Sequence, residues 1–330
     1  MKHRAALLAL FTACAASQAA APESLLAAAL AGPRRAFQGE QSVSVVTDGG
    51  VVRSVVSVIG DGRGRERRQY HGGSSEGITL LRLKGESWQR AYDNWARLPA
   101  VPAPSPMGVA KRLVANYRVT VLPPQPMLGR SVIPIRVDAR RPTNPSRRMW
   151  LDPSSGIIVK DQTYAPNGRL RSESTFVRLN FLRPPAALFK RPSMTQSTSG
   201  GYGFGMGFGF SSLTVARNGA EVERITGQPL PRPRYVPKGF AVEVVGQSMG
   251  RRGSSPAVRY SDGFASFTIF RRGAPRNGGG GFGGGNTGPS VFSQSTNQHS
   301  SIFIRKPAYR YFVIGDIAES ELQKVADTLE

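Results

Sequence analysis

Most of this chain alternates apolar and polar residues in short runs broken by glycine, proline and asparagine, the mark of half-buried strands joined by tight turns. Pro22-Glu23-Ser24 followed by LLAAALA puts a proline and an acid in the first turn of a helix, which Gly32-Pro33 ends. QSVSVVTD and VVRSVVSVIG then alternate on either side of a Gly49-Gly50 turn and read as a hairpin. RERRQYH (Arg65 to His71), GITLLRLKG (Gly77 to Gly85) and ESWQRAYD (Glu86 to Asp93) continue the pattern. The period changes between Pro106 and Tyr117, where Val109, Leu113 and Tyr117 recur at helical spacing; this helix either caps the core or forms a lid over a cavity. Strands follow over Tyr117 to Leu122, Ser131 to Ala139, Arg147 to Pro153, Gly156 to Ala165 and Gly168 to Leu182, with turn signals at Asp152-Pro153-Ser154-Ser155-Gly156 and Pro166-Asn167-Gly168. The expected fold class is α+β, mostly antiparallel β, with a meandering sheet.

Two segments near the C-terminus carry the same signature. YVPKGF (Tyr235 to Phe240) is a Pro-Gly turn feeding a strand, and VRYSDGFASFTIF (Val258 to Phe270) is a pair of strands around an Asp262-Gly263 turn. Tyr309 to Ile314 forms a last strand, Gly315-Asp316 breaks it, and Glu319 to Leu329 makes a closing helix with Leu322, Val325, Ala326 and Leu329 on one face. A chain of this length exceeds one ordinary core, so two domains are expected, 20–192 and 215–330. Between them, 193–214 holds glycine at 200, 201, 203, 205, 207 and 209 and reads as a linker; Tyr202, Phe204, Phe208 and Phe210 leave an adhesive strand open. A second glycine-rich tract, Gly273 to Gly288, reads as a loop between strands.

The N-terminus changes the picture of where the protein works. Lys2 and Arg4 precede an apolar run, Ala5 to Ala13, and Ser17-Gln18-Ala19 is a small-x-small cleavage site, so residues 1–19 read as a signal peptide for export to the periplasm or another extracytoplasmic space. The apolar run is too short to span a bilayer. Cys14, the only cysteine, lies in a loose lipobox, Phe11-Thr12-Ala13-Cys14, which offers a lipid anchor as the alternative. Cleavage after Ala19 leaves no cysteine, hence no disulfide and no thiolate chemistry. It also leaves 42 basic against 21 acidic residues, most of the basic ones arginine. Such a charge suits anionic membrane surfaces, and no nucleic-acid motif accompanies it; an arginine-rich genome accounts for part of the excess.

Catalysis finds no constellation. The mature chain has two histidines, His71 and His299, both read as polar loop residues, without metal-ligand spacing. No nucleophile is paired with a base, and the Gly-Phe-Gly repeats lack the context of a phosphate loop. The expectation is a protein that is not an enzyme and needs no cofactor or metal.

A helix leading to Phe37-Gln38-Gly39 and a long hairpin, then Arg65-Glu66-Arg67, a helix ending in Asn116-Tyr117, and RRMWLDPSSG (Arg147 to Gly156) together resemble the N-terminal domain of the MucB/RseB family of periplasmic sigma-E regulators. The same order is similar to the lipoprotein carrier LolA. QPLPRPRYVPKGF and YSDGFASFTIF resemble the C-terminal domain of MucB/RseB, which a LolA-type carrier lacks. The resemblance implies an N-terminal LolA-like open half-barrel with covering helices and a smaller C-terminal β-sheet domain. It further implies an envelope-stress regulator that binds the ectodomain of a membrane-anchored anti-sigma factor and senses an apolar, lipid or acylated ligand. The alternatives are a periplasmic lipoprotein or lipid carrier, and a cell-wall-associated adhesin. Val43, Val45, Val56, Val58, Leu81, Leu83, Ile133 and Ile135 are the candidate ligand-binding cavity wall; alternation fixes the pattern but not which face is concave.

Overall fold

The computed structural model describes residues 21–91, 94–98, 104–193, 213–250, 253–273, 290–296, 298–306 and 308–330. The expected signal peptide with Cys14, nearly all of the expected linker and nearly all of the second glycine-rich tract lie outside them. The first part of the chain runs α1 (Pro22–Ala31), β1 (Phe37–Thr47), β2 (Gly50–Gly60), β3 (Glu66–His71), β4 (Thr79–Leu83), β5 (Glu86–Ala91), β6 (Asn94–Leu98), α2 (Pro106–Asn116), β7 (Tyr117–Val121), β8 (Gln125–Met127), β9 (Arg130–Ala139), β10 (Ser146–Asp152), β11 (Ile157–Tyr164) and β12 (Leu170–Asn180). The second runs β13 (Leu213–Val215), α3 (Gly219–Thr226), β14 (Ala241–Gly250), β15 (Gly253–Ser261), β16 (Ser266–Gly273), β17 (Ser290–Ser295), β18 (Ser300–Arg305), β19 (Tyr309–Gly315) and α4 (Glu319–Asp327).

The first sheet has the order β6-β5-β4-β3-β2-β1-β12-β11-β10-β9-β7, with β8 added to β9, and its ends β6 and β7 do not meet. It is the open antiparallel sheet expected, but it is two meanders rather than one. They are joined where β1 pairs β12, Gln38 opposite Asn180 and Val45 opposite Ser172. Helices α1 and α2 cover one face. Pro22 at the start of α1 needs no hydrogen-bond donor there, and Ser105 caps α2 by accepting from the Gly108 amide at 3.1 Å. Leu26, Ala29, Ala110 and Leu113 are driven against Ile135, Val137, Met149 and Leu151, each side chain of Leu size contributing about 1.5–3 kcal/mol.

The second sheet, β13-β14-β15-β16-β19-β18-β17, is also antiparallel. Asn218 caps α3 and Gly227 ends it in the left-handed conformation. Val222 of α3 and Leu322, Val325 and Ala326 of α4 bury against Val258, Ile269, Ile302 and Val313. Strand β19 inserts beside β16, so the chain leaving β16 returns through β17 and β18 first. Strands β6, β8, β13 and β17 and helix α3 are not among the expected elements; β8 is three residues with a central proline, β13 begins inside the expected linker, and α3 is barely two turns.

Candidate functional site

Register decides which side chains share a face, because directly opposed residues point the same way. Val43, Ser174, Asp161, Met149 and Ile135 lie in one row across β1, β12, β11, β10 and β9. Beside it run Val56, Gln41 and Phe176. Val43, Val45, Val56, Val58, Ile133 and Ile135 therefore share the face that α1 and α2 cover. Leu81 and Leu83 do not. Val58 pairs Arg68 and Arg68 pairs Leu80, so Leu80 takes the shared face, while Leu81 turns to the other and packs with Trp88 and Phe189. The eight candidates thus fall into two sets on opposite faces, and within the shared face into two neighbouring clusters. Val43, Val56 and Val58 join Phe37, Tyr70 and Phe176; Ile135 joins the helices. Val58 and Ile135 are fully buried by the protein itself, so a ligand on this face has to part existing contacts.

Polar groups that the alternation did not flag sit in the same face. Arg147 grips Asp161 through Nε and Nη2 at 2.8 and 2.7 Å, and Arg68 Nε donates to Glu66 at 2.7 Å. Burial opposes the Arg147 charge, but Asp161 outweighs it and holds the guanidinium above its ordinary pKa. Burial likewise opposes Arg68, and Glu66, Tyr70 and Asp161 reverse the balance. Both arginines are half-buried, with about a quarter of the Arg147 side chain and a third of Arg68 accessible. Gln41 is 4% exposed, and its Oε1 has no hydrogen-bond partner, a state that costs roughly 1–3 kcal/mol in a folded core.

The second sheet plugs into this end of the first. Asp262 is wholly buried. Its carboxylate accepts from the Tyr117 hydroxyl and Asn144 Nδ2, both at 2.8 Å, and from the amides of Phe264 and Ala265 at 2.9 and 2.8 Å. Asn116 Nδ2 donates to the Asp262 and Gly239 carbonyls. Gly239 has φ +92, and a Cβ there would stand 2.2 Å from Asn116 Oδ1, so glycine is required on both counts. Phe264 meets Tyr117 edge-on at 5.7 Å and lies 5.9 Å from the Arg147 guanidinium, within the cluster of α1 and α2. A second joint forms where Gln298 Nε2 donates to the carbonyls of Val46 and Arg171, with Arg171 3.9 Å from Asp316. His299 stands there, its pKa lowered by burial, while His71 ends β3 and bonds Ser57 at 2.9 Å rather than lying in a loop. Asp262 and Tyr117 were legible as a turn and a helix end; their union, 145 residues apart, was not.

Nearly the whole chain has a MucB/RseB-like fold. The structure of the Pseudomonas aeruginosa MucA/MucB complex matches at a TM-score of 0.62 and 14% identity, over 93% of this chain and 96% of that one. MucB in complex with MucA(peri) matches at 0.57 and 15%, over 93% and 96%, and a crystal structure of MucB at 0.50 and 14%, over 94% and 98%. At these identities the likeness is one of fold. No family profile matches the sequence, and no curated protein does.

Proposed function

We propose that this chain is an exported regulator of an envelope-stress sigma-factor pathway, working in the periplasm or an equivalent extracytoplasmic space. Its partner is the extracytoplasmic segment of a membrane-anchored anti-sigma factor, and its signal is an apolar or lipid molecule. The observation that carries the reading is the end-to-end likeness in fold to a protein solved with a bound partner, which extends through the second sheet.

The geometry adds a route for the signal. A ligand shifts an equilibrium only by binding one state better than another. A molecule entering beside Ile135 and Arg147 abuts Phe264, whose hairpin belongs to the second sheet. Parting the buried contacts there disturbs the Tyr117–Asp262 joint and hence the placement of that sheet. The valines and isoleucines of this face suit an acyl chain, and the arginines of the face and of the surface suit anionic head groups.

The test is calorimetric titration of residues 20–330 with a synthetic peptide covering the extracytoplasmic segment of the single-span protein encoded beside a sigma factor in the same genome. Saturable one-to-one binding is expected, and absence of binding overturns the partner. Native mass spectrometry of protein purified from its own host tests the ligand. A bound acylated peptide with no affinity for the segment would instead identify a carrier.

A further inference from the structure

The face of the first sheet that turns away from α1 and α2 has a feature that core packing does not call for. Strand β9 is flanked by β7 along Ile135 to Ala139 and by β8 along Arg130 to Val132. At Pro134 the neighbouring strand changes. Pro134 has no amide hydrogen to offer, and its carbonyl takes the Leu122 amide at 2.9 Å. A cleft of about 540 Å³ opens at this break, lined among others by Leu122, Pro123, Pro134, Arg136, Arg148 and Trp150. That volume falls within the range of small-molecule sites, roughly 300–1,000 Å³.

Two cross-strand pairs shape it. Pro134 stands opposite Trp150 and Arg136 opposite Arg148. The first pair makes a rigid apolar wall. The second sets two guanidiniums directly across an antiparallel ladder, an arrangement that destabilises a sheet unless negative charge lies between them. The acids on this face each hold one cation: Asp138 takes Arg136 Nη2 at 2.9 Å and Glu173 takes Lys160 at 3.0 Å, so among the described residues Arg148 has no carboxylate of its own. Arg136 Nε is buried with no acceptor. Arg148 is exposed and stacks on Tyr164 at 5.1 Å. Lys160, paired with Glu173, lies 5.3 Å over the Trp150 ring.

We infer that this cleft is a second binding site, distinct from the helix-covered face, for a small molecule that joins one phosphate or carboxylate to a flat apolar body. The anion lies between Arg136 and Arg148, since the planar guanidinium presents paired donors matched to either group. The apolar body lies against Trp150 and Pro134.

The protein contains three tryptophans, Trp88, Trp95 and Trp150, so the indole N–H resonances of the ¹⁵N-labelled mature chain report on the site directly, with Trp150→Phe assigning the peak. Titration with phenyl phosphate should move the Trp150 resonance saturably and leave that of Trp88 in place. Phenol at equal concentration should not move it. Arg136→Gln/Arg148→Gln should weaken binding about tenfold or more, the loss expected for charge-assisted hydrogen bonds, with unchanged Trp88 and Trp95 resonances showing that the fold persists. Benzoate replaces phenyl phosphate to separate the carboxylate source from the phosphate source. Equal shifts with phenol, undiminished affinity in the double variant, or a response confined to Trp88 and Trp95 would each overturn the inference. Inorganic phosphate binding as tightly as phenyl phosphate would overturn the apolar half of it.

Discussion

The Tyr117 hydroxyl donates to the Asp262 carboxylate at 2.8 Å and thereby fixes the turn of one sheet against the helix end of the other. Both groups are buried, so water cannot replace the bond once it is lost. Tyr117→Phe should therefore cost about 1.5–3 kcal/mol, the range for hydrogen bonds to charged groups. Asp262→Ala should cost more, because it strands the Tyr117 hydroxyl, the Asn144 amide and two turn amides at once. Urea unfolding of the three proteins measures both.

Two aspartates should respond to pH in opposite senses. Burial pushes Asp262 up, and the Phe264 amide, the Tyr117 hydroxyl, the Ala265 amide and the Arg141 charge only partly offset that. The folded state then holds the proton more tightly than the unfolded chain, whose Asp pKa is about 3.9. Stability from this group is complete below that value and is lost as pH rises through the folded pKa. Burial also acts to raise Asp152, but Ser154, Ser155 and Arg130 outweigh it and hold the carboxyl low. Its contribution is present above about pH 3.9 and is lost as pH falls through the folded pKa. Carboxyl ¹³C titration should find the Asp262 midpoint above the ordinary value and that of Asp152 below it.

Gly239→Ala should loosen the same joint without removing a hydrogen-bonding side chain. The added methyl meets Asn116 Oδ1, and the left-handed backbone resists it. A loss of about 1–3 kcal/mol is expected from the strain. Hydrogen exchange should rise at the Phe264 and Ala265 amides before it rises in β1.

Leu81→Ala and Ile135→Ala should each cost about 2–5 kcal/mol, since both side chains are buried. They differ in function because they lie on opposite faces. Only Ile135→Ala should alter the affinity of an apolar fluorescent probe for the helix-covered face; equal effects would show that the probe binds elsewhere.

Much of the architecture was legible because alternation and turn chemistry are local. The hairpin around Gly49-Gly50, helix α2 from Pro106 and the Asp262-Gly263 turn all occur where the residues place them. What escaped was non-local. No local pattern says that β1 pairs β12, that Arg67 rather than Arg68 stands opposite Leu81, or that Asn144 reaches Asp262. The candidate wall was legible only as one set of alternating positions, and Leu81 and Leu83 landed apart from the valines because parity accumulates across four strands. Arg147 and Asp161 were hidden for a related reason. A charged residue in an alternating run reads as solvent-facing, and only its partner on the next strand makes the inward position tolerable.

The β1–β12 ladder also sets a clock on assembly. Strand β1 is made among the first and its partner among the last of the first twelve, with Val43 waiting for Ser174. Strands β2 to β6 can zip onto β1 from local turns, but its other edge stays open until the chain has emerged past residue 180. Under the proposed export of an unfolded chain across a membrane, that interval is when an unpaired, valine-rich edge is exposed to other chains. Slow release of the segment between β6 and β12 should therefore raise aggregation far more than slow release of anything after it, and a shielding factor would be needed most in that interval.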